Sequence, residues 1–303
     1  MNLESILAGA VAGGTSILFP TLGEVISERS GVINLGTEGS MLCGALAAYA
    51  VGIETGSPWL GVLAGLGAGA LIAMVHAFVV LLRGANQLAT GLVVTFLGLG
   101  LTSLFGQSYV GQGVQPLADW DVPGLSSLPF LGRVLFEHDP LTYLSVLAAV
   151  AAWWALRSTR AGVRLRAAGE RPEVLSTFGS SPIAVRFAAV TIGGGLAGLG
   201  GAQLSTAFTR NWSENMTAGR GFVAVGLTIF AAWDPLRAIA GAYLFSGAEA
   251  LQLQLQAEGT SLSPFLLQAF PYVVVLVVLA ALSSRRLGLA PEALSRVFEG
   301  RAA

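Results

Sequence analysis

Long apolar stretches separated by short polar clusters dominate the chain, and most of its charged residues collect in the clusters. Residues 55–82 contain no Asp, Glu, Lys or Arg, and neither do 84–118, 187–209 and 259–284. A bilayer's hydrocarbon core is about 30 Å thick and takes about 20 helical residues to cross, so each run is long enough. Lipid gives the backbone no hydrogen-bond partner, and the period-two alternation of a β-barrel is absent, so the segments must be helices. The pattern predicts an all-α, polytopic integral membrane protein with about nine spans. They fall at 5–26, 32–52, 57–82, 87–106, 140–156, 187–209, 219–233, 236–257 and 265–283. The second opens on polar Asn34 and Glu38, and the seventh is short.

Composition agrees. The 303 residues are 54% hydrophobic and only 11% charged, too few charges for the surface of a soluble domain of this size. All sixteen basic residues are Arg. A Walker A lysine, a Schiff-base lysine and a lysine general base are thereby excluded. A lone cysteine, Cys43, excludes an intrachain disulfide or a cysteine metal cluster. His76 and His138 lie far apart, so neither a metal site nor catalytic residues are expected. No nucleic-acid partner is expected either. Residues 1–7 carry Glu4 and no basic region, which reads as the start of a retained helix and not a signal peptide.

Arginine placement sets the orientation, because cytoplasmic loops carry the excess of basic residues. Arg157, Arg160, Arg164, Arg166, Arg171 and Arg186 crowd the connection between spans five and six. With that loop inside, alternation also puts Arg29, Arg83, Arg237, Arg285, Arg286, Arg296 and Arg301 inside, leaving Arg133, Arg210 and Arg220 outside. The expected protein is one permease domain over 1–303. Its N-terminus and the loop 107–139 are external, with a short surface helix allowed in that loop. The loop 157–186 and the tail 284–303 are cytoplasmic.

Small residues at helical spacing predict close helix packing: Gly61, Gly65 and Gly69 make two GxxxG steps, and Gly194 with Gly198 another. Residues 193–198 match a dinucleotide-binding GxGxxG, but they follow no strand and lie within an apolar span, so packing is the better reading. The segment 63–67, Leu-Ala-Gly-Leu-Gly, recurs at 196–200, and each copy leads to a polar break containing Asn. The copies have opposite predicted orientations, as in the inverted repeats of transporters.

Polar groups inside spans are the candidate functional residues, since each is expensive in lipid. Glu24 and Glu28 lie one turn apart and read as an interfacial cluster with Arg29 and Arg83. Asn34 and Glu38 have the same spacing and either face a shared polar path or begin a helix. Asn86, Gln87, Thr90 and Thr95 decorate the start of span four, where Asn86 can cap the helix. Glu249, Gln252 and Gln256 form a stripe on span eight that faces protein or water. The substrate pathway is expected to draw on Asn34, Glu38, Asn86, Gln87, Thr90, Thr95 and Glu249. His76 reads as a hydrogen-bonded packing residue.

The loop 157–186 contains Arg166-Ala167-Ala168-Gly169-Glu170-Arg171-Pro172-Glu173. Pro172 and Gly179 bracket a short helix, proline favouring the first position and glycine the end. Residues 28–39, Glu-Arg-Ser-Gly-Val-Ile-Asn-Leu-Gly-Thr-Glu-Gly, resemble the signature of bacterial ATP-binding-cassette (ABC) importer permeases of the simple-sugar and branched-chain amino-acid superfamily. Their wording is nearest to the purine-nucleoside permeases. Segments 85–91, 98–103, 166–179 and 219–225 are similar to the same group, in matching order over about residues 15–285.

The resemblance implies a multi-pass subunit of the bacterial inner membrane that carries a small polar solute, most directly a nucleoside, by alternating access. The alternatives are a simple sugar or a branched-chain amino acid. It implies a second permease subunit, identical or a paralogue, cytoplasmic ABC ATPases and an external solute-binding lipoprotein. ATP and Mg would sit on the ATPase, and this chain would bind no cofactor. Arg166, Gly169, Glu170, Arg171, Pro172 and Glu173 would form the coupling helix. The chain has no nucleotide motif of its own, in keeping with a transport subunit that is not an enzyme. A stand-alone secondary transporter is the rival reading, to be told apart by transport from the chain alone; an intramembrane enzyme would need a catalytic constellation that the spans lack.

Overall fold

The computed structural model describes residues 3–260, 262–283 and 290–294. Most of the tail 284–303, with Arg285, Arg286, Arg296 and Arg301, lies outside the described residues. Eleven α-helices carry the described fold. They are α1 Leu3–Arg29, α2 Thr37–Thr55, α3 Pro58–Ala77, α4 Gln87–Gly106, α5 Pro140–Ser158, α6 Arg160–Glu170, α7 Pro172–Thr177, α8 Pro182–Gln203, α9 Arg220–Phe230, α10 Pro235–Ala257 and α11 Pro264–Ser283. Widened turns extend α3 to Leu82 and α8 to Phe208. Strands β1 Trp120–Asp121 and β2 Glu137–His138 pair antiparallel within the loop 107–139, which also carries short helical turns at Gln107–Tyr109 and Gly132–Phe136, as the sequence allowed.

Nine of these helices occupy the nine expected places. Five are long and apolar enough to cross a membrane: α1, α3 with its extension, α4, α5 and α8 with its extension. The apolar α9 is shorter, 11 residues, and reaches about 16 Å, half of what a crossing needs. Proline and a capping side chain set several starts. Ser57-Pro58 and Ser181-Pro182 open α3 and α8, and Asp139-Pro140 and Asp234-Pro235 open α5 and α10, each cap accepting a first-turn N–H.

The helices pack through glycine. Gly23 of α1 faces the backbone of Gly193, and Gly200 faces Ser16 and Pro20, so α1 and α8 run antiparallel. Gly65 meets Ala202 while Gly69 meets Gly194 and Gly198, which makes α3 and α8 antiparallel too. A Cβ added at Gly44 would lie against Gly198, and one at Gly201 against Met41. These contacts put α2 and α8 backbone to backbone, and dispersion between closely apposed backbones replaces the hydrophobic effect inside lipid. Residues 193–198 are thus helix-packing glycines.

The two copies of Leu-Ala-Gly-Leu-Gly lie on α3 and α8, opposite in direction. A wider correspondence joins α1 with α8 and its extension, each 27 residues long. Each is followed by a non-helical segment, 30–36 or 209–219, and then by a helix that starts in the interior. The start of α9 at Gly221 packs on the start of α2 at Glu38.

Helix direction divides the molecule into two faces. The ends of α1 and α5, the starts of α8 and α10, and helices α6 and α7 lie on one; the β1–β2 pair and the start of α5 lie on the other. In place of a loop over 157–172, the structure has α6, whose Gly162 and Gly169 press on the backbones of Leu156 and Arg29.

Candidate functional site

Non-helical backbone at membrane depth must find partners inside the protein. The break 30–36 finds them in side chains from several helices, Ser27 on the Val32 carbonyl at 2.8 Å and Thr37 on the Asn34 carbonyl at 2.9 Å among them. The backbone N–H of Ile33 donates to Gln87 Oε1 at 2.9 Å, and its carbonyl contacts His76 Nε2 at 3.1 Å. Asn34 N–H donates to Glu24 Oε2 at 3.4 Å, and Gly36 N–H donates to Asn34 Oδ1 at 3.0 Å. Thr95 Oγ1 donates to the Leu35 carbonyl at 2.9 Å, and Thr37 Oγ1 donates to Glu24. Asn34, Gln87 and Thr95 are therefore gathered at one break, each holding backbone.

Asn86 caps α4 through the Ala89 N–H at 3.0 Å, and Thr90 is half-buried on the next turn. His76 is fully buried as a hydrogen-bonded packing residue.

Glu24 and Glu28 do not form an interfacial cluster with Arg29 and Arg83. They are 1% and 2% exposed, Glu28 Oε2 accepts from Trp233 Nε1 at 2.6 Å, and Arg83 is exposed. Spacing placed the acids together correctly, but Glu28's partner Trp233, 205 residues away in sequence, is invisible to it.

Glu38 links the two interior helix starts. It accepts from Thr217 Oγ1 at 2.6 Å, from Gly219 N–H at 2.9 Å and from Gly221 N–H at 2.6 Å. Gly219, at φ +87°, precedes α9 and supplies no side-chain cap, so Glu38 serves as one from another helix.

The next residue, Arg220, is not on an external loop. Its guanidinium donates to Ser16 Oγ, halfway along α1, at 3.1 Å and to Glu249 Oε2 at 3.0 Å, and lies 5.9 Å from the Phe208 ring. The signal that could have found this pair is Glu249 itself, since a lone acid in an apolar span calls for a cationic partner. Gly9, Phe208, Arg220, Ser246, Glu249 and Gln252 line a cavity of about 230 Å³ beside the pair.

The candidate coupling residues lie on the opposite side of the break. Arg186 Nε donates to the Ser30 carbonyl at 3.1 Å, and its NH2 donates to the Ala168 carbonyl at 2.9 Å, tying α6 to the turn after α1. Gly169 is buried there, since a Cβ would strike the Arg29 backbone. Arg166, Glu170, Arg171 and Glu173 are exposed, and Pro172 opens α7 as expected. Val174 and Phe178 present an apolar surface, Phe178 being 81% exposed.

Interior helix starts, broken spans and glycine-packed antiparallel helices define a multi-pass membrane permease. The chain belongs to the family described as branched-chain amino acid transport system / permease component, which matches residues 5–281. It is 42% identical over 263 residues to a putative glucose ABC transporter permease of Haloferax volcanii, covering 86% of this chain and 80% of that one. It is 33% identical to a nucleoside ABC transporter permease of Lactococcus lactis over 96% of both chains. A guanosine ABC transporter permease of Bacillus subtilis is 31% identical over 83% of this chain and 82% of its own. No solved structure matches the chain. The resemblance carried by residues 28–39 is borne out, and the chain is an ABC-importer permease.

Proposed function

We propose that this permease imports nucleosides, powered by ATPases on separate chains. The observation that carries the cargo is the end-to-end match, 96% of both chains, with a nucleoside permease; the guanosine permease adds to it. A second reading, glucose, is favoured by the higher identity of the Haloferax relative. Uptake of labelled guanosine and labelled glucose by the complete complex in proteoliposomes separates them: guanosine taken up and unaffected by excess glucose supports the first, and the reverse supports the second.

In this reading the α6–α7 face is cytoplasmic, as the arginine bias supports, and the N-terminus and the loop 107–139 are external. The exposed Glu170, Arg171 and Glu173 with Val174 and Phe178 seat on an ABC ATPase that holds ATP and Mg. A second permease chain completes the membrane core. An external binding protein delivers solute to the opposite face. ATPase closure pulls α6 and α7, and the break 30–36, tied to α6 by Arg186, moves with them. The path between permease halves thereby alternates between outward and inward openings. Asn34, Gln87 and Thr95 keep the break satisfied while Asn86, Thr90, Glu38 and Glu249 flank the path. The path binds cargo weakly, because affinity resides in the external protein.

A further inference from the structure

A small polar cavity opens on the α6 face, where the ends of α1 and α5, helix α6 and the turn before α10 come together. It holds about 100 Å³ and is walled by Arg29, Trp153, Arg157, Arg166, Trp233 and Asp234. Sites for whole small molecules run to about 300–1,000 Å³, so this one suits a single polar group and not a nucleoside or a sugar. Its charges do not balance. Asp234 pairs with Arg157 at 2.9 Å, and Glu170 lies within electrostatic reach of Arg29, as Arg157, Arg166 and Asp234 do. Arg29, Arg157 and Arg166 thus outnumber the two carboxylates by one charge.

Most of the donors are also unused. Among the described residues, Arg29 bonds only through Nε, to the Trp233 carbonyl at 3.1 Å. Arg157 bonds only through one terminal nitrogen, to Asp234, and its guanidinium lies 5.0 Å over the Trp153 ring. Arg166 makes no hydrogen bond or ion pair among the described residues. Guanidinium is a planar fork of five N–H donors that fits phosphate oxygens. One surplus positive charge among three open forks matches a singly charged phosphodiester.

Helix α5 shows where such a group comes from. Leu147, Val150 and Trp154 are exposed, and with Arg157 they follow steps of three and four, one stripe along the helix. The stripe runs from the apolar middle of a membrane-crossing helix to the rim of the cavity. Acyl chains lying on it would bring their headgroup beside Arg157, at the level of Trp153 and Trp233, aromatic residues of the kind that favour the membrane interface.

We infer that this cavity is a headgroup site for an anionic glycerophospholipid of the leaflet on the α6 side. The phosphodiester sits among Arg29, Arg157 and Arg166, the acyl chains lie along α5, and the lipid bridges α6 to the ends of α1 and α5. Basic pockets between membrane helices are suited to anionic headgroups. The inference is independent of the cargo.

Native mass spectrometry of the full-length permease, released from bilayer discs of equal phosphatidylglycerol and phosphatidylcholine, counts the retained lipid. The wild type should keep one phosphatidylglycerol in preference to phosphatidylcholine. Arg157→Gln combined with Arg166→Gln should lower that retention about tenfold or more, as expected for losing hydrogen bonds to a charged group. Arg164→Gln, on α6 but outside the cavity, should retain lipid as the wild type does. Phosphatidylglycerol should raise the melting temperature of the wild type above its value in phosphatidylcholine, and millimolar inorganic phosphate should neither do so nor displace the lipid. The wild-type comparisons need no variant, so they decide even where the double variant fails to fold.

Four results overturn the inference: equal retention of the two lipids by the wild type; wild-type retention by a folded double variant; a loss in Arg164→Gln as large as in the double variant, the mark of a diffuse basic surface; or displacement of the lipid by inorganic phosphate, which makes the ligand a free anion.

Discussion

Arg29, the last residue of α1, donates its Nε–H to the carbonyl of Trp233 at 3.1 Å, across 204 residues of sequence. Trp233 and Ala232 both have left-handed backbone, at φ +55° and +51°. That conformation costs non-glycine residues of order 1–3 kcal/mol each and persists only where the surroundings enforce it. The enforcement is here: Glu28 accepts the indole N–H at 2.6 Å, and Arg157 pairs with Asp234 at 2.9 Å. The turn between α9 and α10 is thus held by the ends of α1 and α5, beside α6.

Trp233→Phe removes the indole donor and keeps most of the volume. Solute-stimulated ATP hydrolysis of the complex should fall several-fold while basal hydrolysis and assembly stay unchanged. The loss corresponds to about 1–2 kcal/mol for one buried hydrogen bond. Stimulation equal to wild type means that the turn does not transmit the stroke.

Arg220 and Glu249 should behave as a unit. Arg220→Gln and Glu249→Gln each strand a partly buried charge and lower the amount of folded protein recovered from membranes. The double variant should be less impaired than the sum of the two, with a coupling of about 1 kcal/mol or more for so sheltered a pair. Additive losses in thermal unfolding of the purified variants argue against the pairing.

Gly198 lies where α2, α3 and α8 converge on bare backbone. Gly198→Val forces three helices apart and should destabilise by at least 1–3 kcal/mol, the usual range for overpacking. Gly67→Ala on α3, with open space at its Cβ, should leave the melting temperature unchanged.

Much of this was legible in advance because lipid imposes a local rule. Apolar length alone located α1, α3, α4, α5 and α8, and the expected starts at 57, 140 and 236 fall within one residue of Pro58, Pro140 and Pro235. The interior starts of α2 and α9 were not legible. The cap of α9 is Glu38, about 180 residues upstream, and α2 starts five residues later than its apolar run suggests because the break 30–36 is paid for by Gln87, Thr95 and Glu24. Arg220 reads as external for the same reason: a basic residue in a polar stretch gives no sign that the stretch dips to mid-membrane. Arginine-rich α6 hid its helix because its two large apolar residues, Val163 and Leu165, lie two apart and its buried positions are the small Gly162, Ala168 and Gly169.

Sidedness can be mapped with single cysteines in a Cys43→Ser background. A cysteine at Phe178 should react with an impermeant maleimide only in inside-out vesicles, and one at Trp120 only in right-side-out vesicles or intact cells. Labelling at Phe178 from outside reverses the topology and removes the ATPase-docking role of α7.

The most direct test of the central claim is labelled guanosine uptake into proteoliposomes containing the permease with or without its ATPase. The account predicts uptake only with the ATPase and ATP, abolished by replacing Glu170 and Arg171 together while the complex still assembles. Guanosine accumulation by the purified permease alone, driven by an ion gradient, contradicts it.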